Sequence, residues 1–386
     1  MPTQKSKRSF TPKAAQTPRS EAPPTSDEPS GVVDRVKLLD ALKVAAPALV
    51  KQAISPVFGC FLFTGKEVVA YNNIFAIGCS ASTGAMQGCL QGKLIQELLS
   101  ATTVESISKV SVEKETIRFR LGGANVDLPV IQSEEFPLDL PTEDGPTLAV
   151  PEDIIDVLSR ISKVMCREVV RPKLCGVTLS VAEDGNQEWL AADGPMGIRV
   201  RIPAPKVGSN QFRGVIGIPP ESIDAIVGLG ENLKGARWEA TAESHLKIRT
   251  DTVWMISRLN AEVDANMYHQ IFNQYSGTEL VGVPSGLQDV LRRAVIVLDS
   301  GGFNQCTVTC ERGQMLIDAE VRGVAAIRDT VPWEGAESRK FTVDPRRWIS
   351  ALDGGVRMGL GSGAIVLSYG KPRSLRYLIG IGAAEL

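Results

Sequence analysis

The chain has 386 residues, 43% of them apolar and only 5% aromatic, with a formal net charge of −2. That length asks for about two to four domains with cores of Val, Ile, Leu and Ala, and the near-neutral total does not by itself point to a polyanionic partner. Seven scattered cysteines and two histidines (His245, His269) argue against a disulfide framework and a zinc site, and no apolar run approaches the roughly 18 residues of a membrane span.

Residues 1–32 hold six prolines among Ser, Thr and Lys, with Lys5, Lys7, Arg8, Lys13 and Arg19 all preceding the first acid, Glu21. They lack the apolar centre of a secretory signal and read as a disordered tail. From Val33 a threefold echo begins. Leu38-Leu39-Asp40-Ala41-Leu42, Ile154-Ile155-Asp156-Val157-Leu158 and Leu287-Gln288-Asp289-Val290-Leu291 are versions of one helix opening, 116 and 133 residues apart. Such periods are domain-sized rather than solenoid-sized. In the first helix Leu38, Leu42, Ala45 and Leu49 oppose Lys37 and Lys51, and Pro47 shortens or kinks it. A second helix is expected over Gly92–Leu99, followed by an alternating strand over Thr116–Leu121. The acidic, proline-broken stretch Ser133–Gly145 reads as a linker.

The second block repeats the plan. On its opening helix Ile154, Leu158, Ile161 and Met165 form the apolar stripe, with Arg160, Lys163 and Arg167 opposite. A second helix starts at Pro220, and His245–Arg249 alternates as a strand. After a break near Asn273–Gly282, the third block aligns Leu287, Leu291, Ala294 and Leu298 against Arg293. Its second helix opens at Pro345 and its strand runs over Ala364–Tyr369; the paired prolines suit the first helical turn. Cys306 and Cys310 lie on one strand face with Val308, as buried thiols do, which suits a reducing, cytoplasmic setting. The expected architecture is α+β: a tail at 1–32 and three blocks at 33–145, 146–276 and 277–386, each made of one half-unit used twice.

Enzyme signatures fail. Gly88-Cys89-Leu90-Gln91-Gly92-Lys93-Leu94 has the wrong glycine spacing for a phosphate loop and no hydroxyl after the lysine. Gly228-Leu229-Gly230 and Gly359–Gly363 complete no dinucleotide fingerprint, and no nucleophile elbow occurs. No catalytic residue, metal or cofactor is expected. What recurs instead is an amphipathic helix with a partly basic outer face. Gathered round one axis, such faces hold phosphates without reading bases.

The order of these features resembles the bacterial-type sliding clamp, the beta subunit of replicative DNA polymerase, over about 33–386. It is carried by the three helix openings, by Ser55-Pro56-Val57-Phe58-Gly59 before a strand, and by Glu134-Glu135-Phe136-Pro137 closing the first block. Leu190-Ala191-Ala192-Asp193-Gly194, Ser257-Arg258-Leu259 running to Tyr268, and the closing strand Arg376–Ile379 complete it. The resemblance implies three repeated clamp domains and a head-to-tail homodimeric ring around double-stranded DNA. It also implies a replicative polymerase as partner and a separate ATP-dependent clamp loader. Carried over by position, Gln52 beside Lys51 is a DNA contact, and Lys51, Lys93, Arg160, Lys163, Arg167 and Arg293 are the candidate phosphate contacts, with Arg346 and Arg347 weaker ones. A partner-peptide pocket would be walled by Leu174, Ala192, Gly194, Pro195, Met196, Ile271, Leu378, Ile379, Gly380 and Ile381. The chain departs from the family at Val263–Tyr268, at Pro195-Met196 and at Gly380–Leu386, so its pocket suits a different peptide or binds weakly. Such divergence would suit a phage-encoded version. The competing reading is a clamp-fold scaffold that binds proteins without encircling DNA.

Overall fold

The computed structural model describes residues 32–50, 55–113, 115–138, 144–204, 211–240, 245–352, 357–370 and 374–383. The tail expected at 1–32 therefore lies, but for Val32, outside the described residues, as do Lys51 and Gln52 and part of the expected linker.

Seven helices are described: α1 (Arg35–Ala45), α2 (Gly92–Ser100), α3 (Ile154–Ile161), α4 (Pro220–Leu229), α5 (Ala265–Gln274), α6 (Leu287–Asp299) and α7 (Pro345–Ala351). The echoed openings fall in α1, α3 and α6, and the three second helices are α2, α4 and α7. Local chemistry sets their ends. Asp34 caps α1 by accepting from the Lys37 N–H at 3.0 Å, and Asp344 caps α7 by accepting from the Arg346 N–H at 2.9 Å. Pro47 ends α1, and Ala46–Ala48 tightens into a 3₁₀ turn. Two helical readings need correction. α3 stops at Ile161, so Lys163, Met165 and Arg167 leave the helix and their stripe positions do not exist. The segment Ala265–Gln274, read without a helix, forms α5, capped by Asp264.

The strands form six three-strand meanders. In chain order they are Cys60–Thr64, Glu67–Tyr71 and Phe75–Ser80; Ser106–Glu113, Thr116–Leu121 and Ala124–Pro129; Val177–Val181, Gln187–Ala192 and Met196–Ile202. Then follow Arg237–Ala240, His245–Arg249 and Val253–Arg258; Cys306–Glu311, Gly313–Val321 and Ala325–Trp333; Arg357–Leu360, Ala364–Tyr369 and Ser374–Gly380. Before α1, α2, α3, α4, α6 and α7 runs a lead strand, which adds to the meander of its companion half. Val33–Asp34 pairs with the second meander and Gln87–Gln91 with the first, for example. The half-unit used six times is thus a lead strand, a helix and a meander.

The meanders then join by their third strands. Phe75–Ser80 pairs antiparallel with Val253–Arg258, and Met196–Ile202 with Ser374–Gly380, giving two eight-stranded sheets. The rule is that an odd meander joins the one three places further along. Meander one takes four, and three takes six. Both seams are apolar inside: Ile77 faces Met255, and Ile198 faces Tyr377, all buried. At the first seam the Trp254 ring lies so close over Gly78 that a Cβ there would sit 2.1 Å from it, and the indole N–H reaches Glu67 at 2.8 Å. Two third strands stay at sheet edges, Ala124–Pro129 of meander two and Ala325–Trp333 of meander five.

Candidate nucleic-acid face and partner groove

The helices of each pair, α1 with α2, α3 with α4 and α6 with α7, pack side by side with their apolar faces on the core. Most of the cations predicted on their outer faces are held by acids. Arg167 donates through Nη1 and Nη2 to the Asp224 carboxylate on α4 at 2.5 and 3.0 Å. Arg293 on α6 donates through Nε to Asp329 at 3.1 Å. Lys93 stands 3.8 Å from Glu97, one turn along α2. Arg160, in the last turn of α3, lies 5.9 Å from the Tyr369 ring centre. Lys163 is exposed in the turn after α3. Arg346 is tied to Asp299 and Asp344, and Arg347 to Asp193 and Asp344. Exposed pairs of this kind add little stability, but they lower the local positive potential. Two cations went unnoticed in the sequence: Lys43 and Arg292, each three residues after the echoed Asp40 or Asp289 and paired with it at 3.3 and 3.4 Å. The signal was the recurring i, i+3 acid–base spacing.

The predicted peptide pocket is divided by the sheet. Ala192 and Leu378 lie on the outer face, under α5, in one apolar cluster with Tyr268 and Phe272 and with half-buried Leu174 against it. Met196 and Ile379 face each other across the seam on the opposite side and belong to the main core. Ile381 packs against that core as well. Gly194, Pro195 and Gly380 are exposed at the end of the seam, and Ile271 is 41% exposed on α5. The Gly380 N–H donates to the Pro195 carbonyl at 2.7 Å, and the Met196 N–H to Asp193 at 2.9 Å. The structure therefore brings together an outer strip of Leu174, Ala192, Leu378 and the exposed glycines and Pro195, without Met196 and Ile379.

α5 makes the difference. Ala265, Tyr268 and Phe272 fall on its buried face, and that spacing was visible in the sequence. Beneath it Arg199 is only 3% exposed, with its guanidinium 4.9 Å from the Phe272 ring centre. Burial, then the nearby Arg201 charge, pushes Arg199 down to about 10. Beside α5 a cleft of about 510 Å³ is lined in part by Glu188, which accepts from Arg201 Nε at 2.5 Å and has His269 Nε2 2.6 Å away. Burial pulls the Glu188 carboxyl up, but the Arg201 hydrogen bond and charge outweigh it and hold the group below its ordinary value. Among the described residues no three His, Cys, Asp or Glu side chains are placed to hold a metal, and no helix is long and apolar enough to cross a membrane.

No protein-family model and no curated protein matches the sequence. Solved structures do match the fold. The DNA polymerase III beta subunit of Thermotoga maritima superimposes with a TM-score of 0.77 at 15% identity, over 92% of this chain and 99% of that one. The beta clamp of Helicobacter pylori, bound to a DNA ligase peptide, gives 0.76 at 13% identity over the same shares. The sliding clamp of Bartonella birtlesii, bound to griselimycin, gives 0.79 at 16% identity, again over 92% and 99%. The chain has the beta-clamp fold across nearly its whole length.

Proposed function

We propose that this chain is a DNA sliding clamp, a processivity factor that closes into a ring round duplex DNA and tethers a replicative polymerase and other replication proteins. The observation that carries the reading is the meander rule. Meander five finds no partner three places on among the described residues; the second meander of a following copy is its equivalent. An edge that pairs with a different edge on the next copy is a head-to-tail contact, and two copies that close it leave no third strand of a meander unpaired. The domains would be 33–145, 146–276 and 277–386, six to a ring, with the helix pairs facing the hole.

Lys51, Gln52, Lys93, Arg160, Lys163, Arg167 and Arg293 would touch phosphates, diluted by their acid partners. Loose contact of that kind suits a ring that holds DNA by topology and must slide. The outer strip beside α5, with half-buried Leu174 and exposed Gly194, Pro195 and Gly380 over the buried Ala192 and Leu378, would take an extended partner peptide with apolar anchors. Ring opening would fall to a separate ATP-dependent loader.

The pairing of Arg167 and Arg293 with acids also favours a second reading, a clamp-fold scaffold that never encircles DNA. One assay separates the two. Protein loaded on a nicked circle should stay bound at moderate salt and be lost when the circle is cut. Equal loss from circles and linear fragments would leave only the scaffold.

A further inference from the structure

Cys166 and Cys175 are paired residue to residue. They form an isolated parallel β-bridge outside the named strands, and both are free thiols. Partners in a bridge have Cα atoms about 4.8 Å apart and side chains on one face. That spacing lies inside the window of roughly 4.4–6.8 Å that a disulfide needs. Backbone bonds hold the bridge in place: the Gly176 N–H donates to the Cys166 carbonyl at 2.9 Å and the Cys175 N–H to the Arg171 carbonyl at 3.0 Å. The other cysteines are not so placed. Cys60 and Cys89 are diagonal on neighbouring strands, about 7–8 Å apart, and Cys306 and Cys310 are about 13 Å apart along one strand. Cys79 faces Val68 and Val253.

The two thiols differ in access. Cys175 is half-buried, whereas Cys166 is only 3% exposed and has the Glu168 N–H on its sulfur at 3.4 Å. A reagent from solution therefore meets Cys175 first, with Cys166 behind it as the resolving thiol. Burial, with the Cys166 and Glu221 charges adding to it, holds Cys175 above its ordinary value. It is thus a slow thiol at neutral pH, and its reaction quickens as pH rises.

We propose that Cys166 and Cys175 form a redox site that takes a small-molecule disulfide of the glutathione type. Cys175 gives its proton to solvent and attacks one sulfur of that disulfide. The S–S bond breaks, and one thiolate leaves and takes up a proton. Cys166, deprotonated in turn, attacks the Cys175 sulfur of the mixed disulfide and expels the second thiol. The two protein thiols lose two electrons to one protein disulfide, and one small disulfide gains them to become two thiols. In a reducing setting such a bond is a transient state and not a permanent staple.

The bond closes residues 167–174 into a loop that joins both candidate surfaces, so the inference goes beyond the ring reading and does not need it. At one end Arg167 pairs with Asp224 on α4; at the other Leu174 packs against the outer strip. Between them Arg171 lies over Gly194, 3.4 Å from where a Cβ would sit, and Asn260 Nδ2 donates to the Pro172 carbonyl at 2.9 Å. Oxidation would fasten the wall of the strip to the end of the helix face without changing the charge of either.

Mass spectrometry of the full chain, incubated without denaturant in oxidised glutathione at pH 8, tests the proposal. The chain should lose two hydrogens, and a tryptic map should join Cys166 to Cys175 about tenfold over any other pair. A dithiol reductant should reverse the change, and the oxidised chain should melt a few degrees higher. Cys166→Ser should stop with glutathione on Cys175, and Cys175→Ser should carry none on Cys166. No reaction of the unsubstituted chain, glutathione left standing on its Cys175, linkage through other cysteines, or linkage only after unfolding would each overturn the assignment.

Discussion

The seam between Met196–Ile202 and Ser374–Gly380 and the two free edges are the same structural device with different chemistry. In the seam, large apolar side chains meet on the core face and α5 covers the outside, with Arg347 and Asp193 tied across the end. At the free edges the inward residues shrink to Ala124 and Ala325 or turn acidic at Asp329, and the outward ones include charged Asp127 and Arg328. A permanent joint and a reversible one can thus be made from one repeated unit by changing a few inward and outward positions. Exposed edges also need guarding against random pairing, and Arg328, Asp329, Pro332, Asp127 and Pro129 do that.

The sharpest way to break the comparison is truncation on each side of it. Ile198→Ala should cost about 2–4 kcal/mol of folding stability in denaturant titration, because it empties a closed seam. Ile327→Ala should leave the fold within about 1 kcal/mol yet weaken the dimer roughly a hundredfold by sedimentation, since one dimer closes two such seams and each losing about 1.5 kcal/mol adds up. Equal effects on folding would erase the distinction. Next in size is charge: Arg328→Glu should raise the dimer Kd about tenfold, and adding Asp127→Lys should recover most of it.

The helix faces sharpen the contrast on the DNA side. Neutralising exposed Lys163 should lower the slope of log binding against log salt by about one per copy. Arg167→Gln and Arg293→Gln should lower it less, because Asp224 and Asp329 already neutralise them. The smallest effect is alkaline. Burial pushes Cys89, Cys306 and Cys310 up to about 12, above the value of about 8.5 for a free thiol. The folded state then keeps protons the unfolded chain loses, so stability is full below pH 8.5 and declines above it. The thermal midpoint should fall between pH 8 and pH 10, while these thiols stay unreactive at pH 8.

Much of this was legible in the residues. The echoed openings fixed α1, α3 and α6, because an apolar stripe at helical spacing is a local signal. Strands such as Ala364–Tyr369 were legible for the same reason. Partners were not. Alternation says which side of Phe75–Ser80 is buried, but nothing near Ile77 names Met255, and the Arg167–Asp224 pair spans 57 residues. The pocket was misassembled because position along a strand does not by itself say which face a residue takes; Leu378 and Ile379 are neighbours in sequence and lie on opposite sides of the sheet. α5 is legible in Ala265, Tyr268 and Phe272 behind Asp264, whose spacing is helical even where the stretch departs from the family.

Everything here depends on two arcs closing. Direct imaging of purified particles by electron microscopy is the most direct test. Closed rings of two chains, with sixfold-like symmetry and an opening wide enough for a double helix, are the expected particles. Single arcs at all concentrations, or compact particles without an opening, would contradict that expectation.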